Sequence, residues 1–106
     1  MPDFGRASYE AIRSIDASTF TGAYAAFGTA LLHSPFLVKI VNNSDSDILL
    51  SLDGTTDMDG CPAGGSFVYD FSSNQTGGIG AGQQWYIRGA VGSGLVWLVV
   101  MYGGAS

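Results

Sequence analysis

Five short apolar runs, separated by turn-forming residues, constrain the fold of this chain most strongly. They are FLVKIV (36–41), DILLSL (47–52), SFVYDF (66–71), QWYIRG (84–89) and LVWLVVMY (95–102). Several alternate apolar and polar residues with the two-residue period of a β-strand. No stretch of ten or more residues has a convincing helical period. The pattern predicts an all-β fold, a small antiparallel β-sandwich or jelly-roll-like barrel of about six strands.

The order of the runs suggests how two of the strands are placed. The first two are separated by the five polar residues NNSDS (42–46), a length that suits a β-hairpin. In the second run, Ile48, Leu50 and Leu52 share one face and are expected in the core. The last run is apolar on both faces, so it should lie centrally or present one face to another subunit.

Residues 1–33 have a different character. They are rich in Ala, Ser, Thr and Gly and have only weak periodicity, with a short alternation around 19–24. The sequence therefore predicts two regions: an extended N-terminal arm with an edge strand (1–33) and a β-sandwich domain (34–106). Apolar residues in such an arm are candidates for contacts with other proteins. They are Phe4, Tyr9, Ile12 and Phe20.

Composition excludes several classes of function. The chain has 106 residues and a net charge of −5, and no two of its four Lys and Arg residues are adjacent. Without a basic stripe, nucleic-acid binding is not expected. The longest apolar run, residues 95–102, falls far short of the ~20 residues of a membrane-spanning helix. No secretory signal is visible, and a single cysteine, Cys61, allows no intrachain disulfide.

The segment VNNSDSDILLSLDGTTDMDG (41–60) contains five of the nine acidic residues. An EF-hand loop would need Glu at its twelfth position, but counting from Asp53 or Asp57 reaches Gly64 or Val68. A calcium loop of another kind stays open. The simpler interpretation is that these Asp residues stabilise turns. Asp45 and Asp47 lie at the start of the strand 47–52, and Asp57 and Asp59 follow it. Because a strand of six residues separates these two acidic groups, they are expected at opposite ends of the sandwich.

No catalytic constellation is recognisable, so no enzymatic activity, metal or cofactor is predicted. His33 is the only histidine, and Cys61 has acidic neighbours, which disfavour a reactive thiolate. An alternative function uses the aromatic residues near the C-terminus, which could stack on sugars if they shared an exposed face. They are Trp85, Tyr86, Trp97 and Tyr102.

Residues 36–103 resemble small β-sandwich structural proteins of tailed-phage virions. The resemblance rests on a series of turns and strand ends: Val41-Asn42-Asn43, Ser51-Leu52-Asp53-Gly54, Pro62-Ala63-Gly64, Tyr69-Asp70, and Gly92-Ser93-Gly94 leading to Tyr102. It implies a non-enzymatic virion subunit, made in the host cytoplasm and present in many copies as a homo-oligomer. Its partners would be the major capsid protein or other virion proteins. Capsid decoration (cement) is the expected role, with the head–tail neck or the tail as alternatives.

Overall fold

The computed structural model describes residues 7–70 and 81–103, and these fold into two antiparallel β-sheets packed face to face. The strands are β1 (Ala7–Tyr9), β2 (Arg13–Asp16), β3 (Ala25–Ala26), β4 (Pro35–Ser44), β5 (Ile48–Ser51), β6 (Asp59–Cys61), β7 (Ser66–Asp70), β8 (Tyr86–Gly89) and β9 (Gly94–Gly103). A 3-10 turn, Ala17–Thr19, follows β2. The predicted all-β sandwich is confirmed.

Strand β9 is the centre of the five-stranded sheet. The long strand β4 pairs along one side of β9, while β1 and β2 follow one another along the other side. Strand β7 pairs with the outer edge of β4. The predicted central position of the last apolar run is therefore confirmed, and its two apolar faces have different surroundings.

The second sheet has four strands in the order β3-β8-β5-β6. The predicted hairpin between β4 and β5 is wrong, because these strands belong to different sheets. Buried Asn42 explains the crossover: its amide donates to the carbonyls of Ser46 (2.8 Å) and Cys61 (3.2 Å). Its side-chain oxygen accepts from the backbone N–H (3.1 Å) and the hydroxyl (2.6 Å) of Ser44. These bonds hold the chain as it turns between the sheets.

The hydrophobic core fills the space between the two sheets. Ile48 and Leu50 are buried in it as predicted, and half-buried Leu52 packs against it. From the five-stranded sheet it receives alternate residues of β4 and β9. These are Val38, Ile40, Val96, Leu98 and Val100. The opposite residues of the same strands point away from the core.

The predicted division into an arm (1–33) and a sandwich (34–106) is wrong for residues 7–33. This segment supplies β1, β2 and β3, and its connections bury Ala17, Phe20, Phe27 and Leu31 in the core. The strand expected around 19–24 does not form. Instead, the Asp16 side chain accepts a hydrogen bond from the Ser18 N–H and caps the 3-10 turn. Irregular connections explain why these core residues show no period in the sequence.

Candidate interaction surface

The outward side of the five-stranded sheet is mostly apolar. Alternate residues of β4 and β9 point outward there, opposite the fully buried positions of the same strands. We define the apolar face by eight residues: Leu37, Lys39, Val41, Val68, Leu95, Trp97, Val99 and Met101. Two large apolar side chains on it, Val68 and Leu95, are 51% and 37% exposed. The ends of neighbouring strands provide a polar rim.

Strand register fixes which residues are neighbours on the apolar face. In β4 and β9, Val41 is opposite Trp97 and Lys39 is opposite Val99. Val68 of β7 flanks Lys39 on its other side. These cross-strand neighbours stand close enough for their side chains to contact each other. The face is therefore a continuous apolar surface rather than a scatter of single residues.

Lys39 is the one charged residue inside the apolar face. Among the residues that the structure describes, Arg13 pairs with Glu10 and Arg88 with Asp57, whereas no ion pair is formed by Lys39. The sequence shows Lys39 pointing away from the core. It does not show that the residues around Lys39 are apolar, because those neighbours come from β7 and β9.

Of the four candidate contact residues, two extend the apolar face. Tyr9 (63% exposed) is opposite Met101 on β9, and Ile12 (62% exposed) comes just before β2. Phe20 is buried in the core and unavailable to a partner, so its proposed contact role is withdrawn. Phe4 lies outside the described residues.

A β-bulge places Tyr9 and Ile12 on the same edge. Three residues separate Tyr9 from Arg13, but only two separate their partners Met101 and Leu98. The extra residue lets both Glu10 and Arg13 point inward, although they are an odd number of positions apart. The intervening Ala11 and Ile12 are exposed.

Glu10 is the buried anchor of this edge. Its side chain, 1% exposed, accepts hydrogen bonds from Arg13 Nη2 (2.7 Å) and from the backbone N–H groups of Leu32 (3.1 Å) and His33 (2.8 Å). Burial alone would raise the pKa of Glu10. The hydrogen bonds from Arg13, His33 and the backbone outweigh burial, and the pKa is lowered.

His33 completes this cluster from a half-exposed position. Its Nδ1 lies 3.0 Å from Glu10 Oε2, and its ring stacks on Tyr102 with centroids 3.6 Å apart. The contacts tie the segment before β4 to the ends of β1 and β9. Sequence reasoning missed this cluster because Glu10 and His33 are 23 positions apart, which gives no local signal.

The four aromatic residues considered for sugar stacking do not share one surface. Trp85 is in the core, stacked on Tyr69 with centroids 5.5 Å apart. Tyr86 lies on the four-stranded sheet next to Gly54, and Tyr102 is covered by His33. Only Trp97 lies on the apolar face, half-buried among aliphatic neighbours.

The acidic residues of 41–60 stabilise turns and side-chain contacts. Asp45 accepts from the Ser93 N–H (2.9 Å) and Asp53 from the N–H groups of Thr55 and Thr56 (both 2.8 Å). These hydrogen bonds hold the pKa values of both carboxyls below their usual range. Within the described ranges, no three His, Cys, Asp or Glu side chains are grouped to hold a metal ion.

The predicted separation of the two acidic groups holds only in part. Asp45 lies beyond the start of β5, next to the turn before β9. Asp59, however, belongs to β6 and pairs with Leu50, so it lies beside β5 rather than past its end. Its carboxylate accepts a hydrogen bond from the Tyr69 hydroxyl. This contact and burial raise the pKa of Tyr69, with burial the larger cause.

The outward side of the four-stranded sheet differs from the apolar face. Its cation is paired: Arg88 Nη2 donates to Asp57 (2.9 Å), which also accepts from the Tyr24 hydroxyl (2.6 Å). The Arg88 guanidinium lies 5.3 Å from the Tyr24 ring centroid. We call this surface, with Leu49 and the neighbouring glycines, the polar face. Its groove of about 340 Å³ is lined by Gly22, Asp47, Leu49, Arg88, Gly89 and Ala90.

Comparison with models of protein families, with curated proteins and with solved structures gives no match. In residues 7–70 and 81–103, no helix has the length and apolar character needed to cross a membrane.

Proposed function

We propose that this chain is a non-enzymatic structural subunit of a tailed-phage virion. Its expected role is capsid decoration, in which many copies stabilise the shell through protein–protein contacts. The observation that carries the proposal is the apolar face together with Tyr9 and Ile12 at its edge. A continuous, partly exposed apolar surface of this kind is often functional, as a site of contact with another protein.

The residues that resemble virion proteins support the same function. In this fold they lie in turns and strand ends: the Ser51 hydroxyl accepts from the Asp53 (3.1 Å) and Gly54 (3.0 Å) N–H groups. Pro62 accepts from the Gly65 N–H (2.9 Å), with Gly64 at φ 76° between them. These residues form the turns of the sandwich, and none of them is placed as a catalytic group. Such a role suits a building block better than an enzyme.

Adhesion of the chain would stabilise an assembled particle by binding it in preference to its separate subunits. Repetition over many copies would add avidity even where each contact is weak. The major capsid protein is the expected partner for capsid decoration. A position at the neck or tail would place the chain against other virion proteins.

The direct test is to look for the chain in tailed-phage particles whose genome encodes it. Antibodies raised against the purified chain should detect it in gradient-purified particles at many copies each, and immunogold should label the head. Label confined to the neck or tail would change the proposed location. Particles that lack the chain while the infected cell contains it would refute a virion role. Glycan arrays on the same protein test the carbohydrate-binding alternative.

A further inference from the structure

We propose that the apolar face is an isologous contact between two copies of this chain. The proposal rests on the proposed function for its biological purpose, but its geometry is independent of where the protein acts. The face spans three strands about 4.8 Å apart and four rows about 7 Å apart, roughly 10 by 20 Å. Its footprint of a few hundred Å² per copy is below the roughly 800 Å² per partner of a standard interface, so the contact is a weak one.

The position of Lys39 restricts how a second copy can cover the face. It stands in the apolar interior beside Val99 and Val68, with no ion pair among the described residues. A two-fold axis passing through Lys39 would bring two like charges together in a dry interface, which is unfavourable. The axis must therefore pass beside Lys39 and place another group above it.

Four residues at the centre of the face supply such an arrangement. Val99 and Trp97 of β9 stand opposite Lys39 and Val41 of β4, forming a rectangle of about 4.8 by 7 Å. A two-fold axis in the plane of the interface, along the Val99–Val41 diagonal, brings Lys39 of one copy to within about 3 Å of the in-plane position of Trp97 in the other. Each Lys39 then lies over Trp97 of the second copy. A lysine over an indole face is a favourable cation–π contact, and the symmetry forms it twice.

The same exchange brings apolar residues together around the centre. It brings Val68 towards Leu95, and it brings Met101 towards Ile12, which stands beside Val99 just before β2. The strands of the two copies would cross at roughly 70°, nearer to the orthogonal than to the aligned stacking of sheets. The acids Asp16 and Asp70 meet only at the rim, where water and salt screen them.

This self-complementarity identifies a second copy as the occupant. Lys39 is the only cation inside the face and Trp97 its only tryptophan, and they lie on either side of the Val99–Val41 diagonal. The same surface therefore supplies both partners of the cation–π contact. Because the footprint is small, we expect a reversible dimer with a dissociation constant in the range of roughly 1–100 μM.

Sedimentation equilibrium of the purified chain between 5 and 500 μM tests this inference. We expect a monomer–dimer equilibrium for the unchanged chain and for Lys39→Arg. Lys39→Glu should weaken the dimer about 30-fold or more, because two cation–π contacts of about 1 kcal/mol each are lost. Trp97→Leu, which keeps the face apolar, should weaken it similarly. Leu49→Glu on the polar face is the matched control and should leave dimerisation unchanged.

Thermal melting of each variant by circular dichroism checks that it is folded before its association is judged. A chain that stays monomeric at 500 μM would overturn the inference, as would a Lys39→Glu dimer as tight as the unchanged one. Neither result bears on whether the chain is found in virions. Conversely, a dimer that depends on Lys39 and Trp97 would stand even if phage particles lacked the protein.

Discussion

The two outward faces of the sandwich differ in the surroundings of their positively charged residues. On the polar face, Arg88 is neutralised within the chain by Asp57 and covered on one side by the Tyr24 ring. On the apolar face, Lys39 has only aliphatic cross-strand neighbours. The cation of the polar face is thus paired within the chain. The apolar face instead surrounds Lys39, which has no ion pair among the described residues, with apolar side chains, and such a patch is suited to contact with a partner.

The two faces also differ in how much the stability of the fold depends on charged residues beside them. The cluster of buried Glu10 and Arg13 with half-exposed His33 lies at the edge that joins the N-terminal segment to β9. It holds Tyr9 and Ile12 at the edge of the apolar face. The polar face depends on no comparable buried charge, so changes to the two faces should have unequal effects.

The largest effect is expected from Glu10→Gln. It leaves Arg13, whose side chain is 6% exposed, without its carboxylate, and breaking a buried pair in this way costs about 3–5 kcal/mol. Urea denaturation at pH 7 measures the loss. Asp57→Asn, which breaks the exposed pair of the polar face, is the control and should cost clearly less. Equal losses in the two variants would contradict the structural difference.

A second effect is the dependence of stability on pH. The pKa of Glu10 is lowered in the folded chain, so its contribution is full above the unfolded value of about 4.3 and disappears as pH falls through the folded value. The unchanged chain should therefore lose stability between pH 5 and pH 3. Denaturation at both pH values should show a smaller loss in Glu10→Gln. An identical loss would assign the effect to other carboxylates, among them Asp45, Asp53 and Asp57.

A third effect is expected at the edge of the apolar face, where a substitution should weaken dimerisation with little change in the free energy of unfolding. Because Tyr9 and Ile12 are largely exposed, replacing both with Ser should change the free energy of unfolding by less than about 1 kcal/mol. Association should nevertheless weaken about tenfold, since Ile12 lies in the proposed contact and roughly 1.4 kcal/mol of burial is lost. Sedimentation and denaturation of the same sample measure both quantities. Unchanged association would remove this edge from the interface.

Deleting residues 1–17 would be a poor substitute for the double substitution, because the deletion removes strands β1 and β2.

The smallest effect is expected from Arg88→Ala. Both members of its ion pair are partly exposed, so the stability change should stay within about 0.5–1 kcal/mol. Association should not change, because Arg88 lies on the opposite sheet. A loss of dimer in this variant, measured by sedimentation, would mean that the polar face is the contact and would reverse the comparison.

The sequence predicted five of the nine described strands, β4, β5, β7, β8 and β9, and the central place of β9, because these follow from local apolar alternation. The sequence missed the short strands β1, β2, β3 and β6. It did not predict that β4 and β5 lie in different sheets, since the turn depends on bonds from Asn42 to Ser46 and to the distant Cys61. The N-terminal segment was misjudged for a similar reason. Its core residues Phe20, Phe27 and Leu31 lie in connections that lack a regular period.

Only part of the apolar face could be predicted from the sequence. Two apolar faces on the last strand suggested either burial or contact with another subunit, and the structure places one face in the core and leaves the other outward. The neighbours of Lys39 and Trp97 could not be anticipated. They follow from the register of β4, β7 and β9, which no local pattern specifies.

Cysteine cross-linking at Val99 tests the central claim most directly. The proposed two-fold axis passes over Val99, so in a Cys61→Ala background two copies of Val99→Cys face each other across a sheet separation of about 10 Å and should be cross-linked by a short bismaleimide reagent. Leu49→Cys on the polar face, in the same background, should remain monomeric. Rapid cross-linking at Val99 alone is the predicted result. A monomeric Val99→Cys with a readily cross-linked Leu49→Cys would contradict the account, because it would place the contact on the wrong sheet.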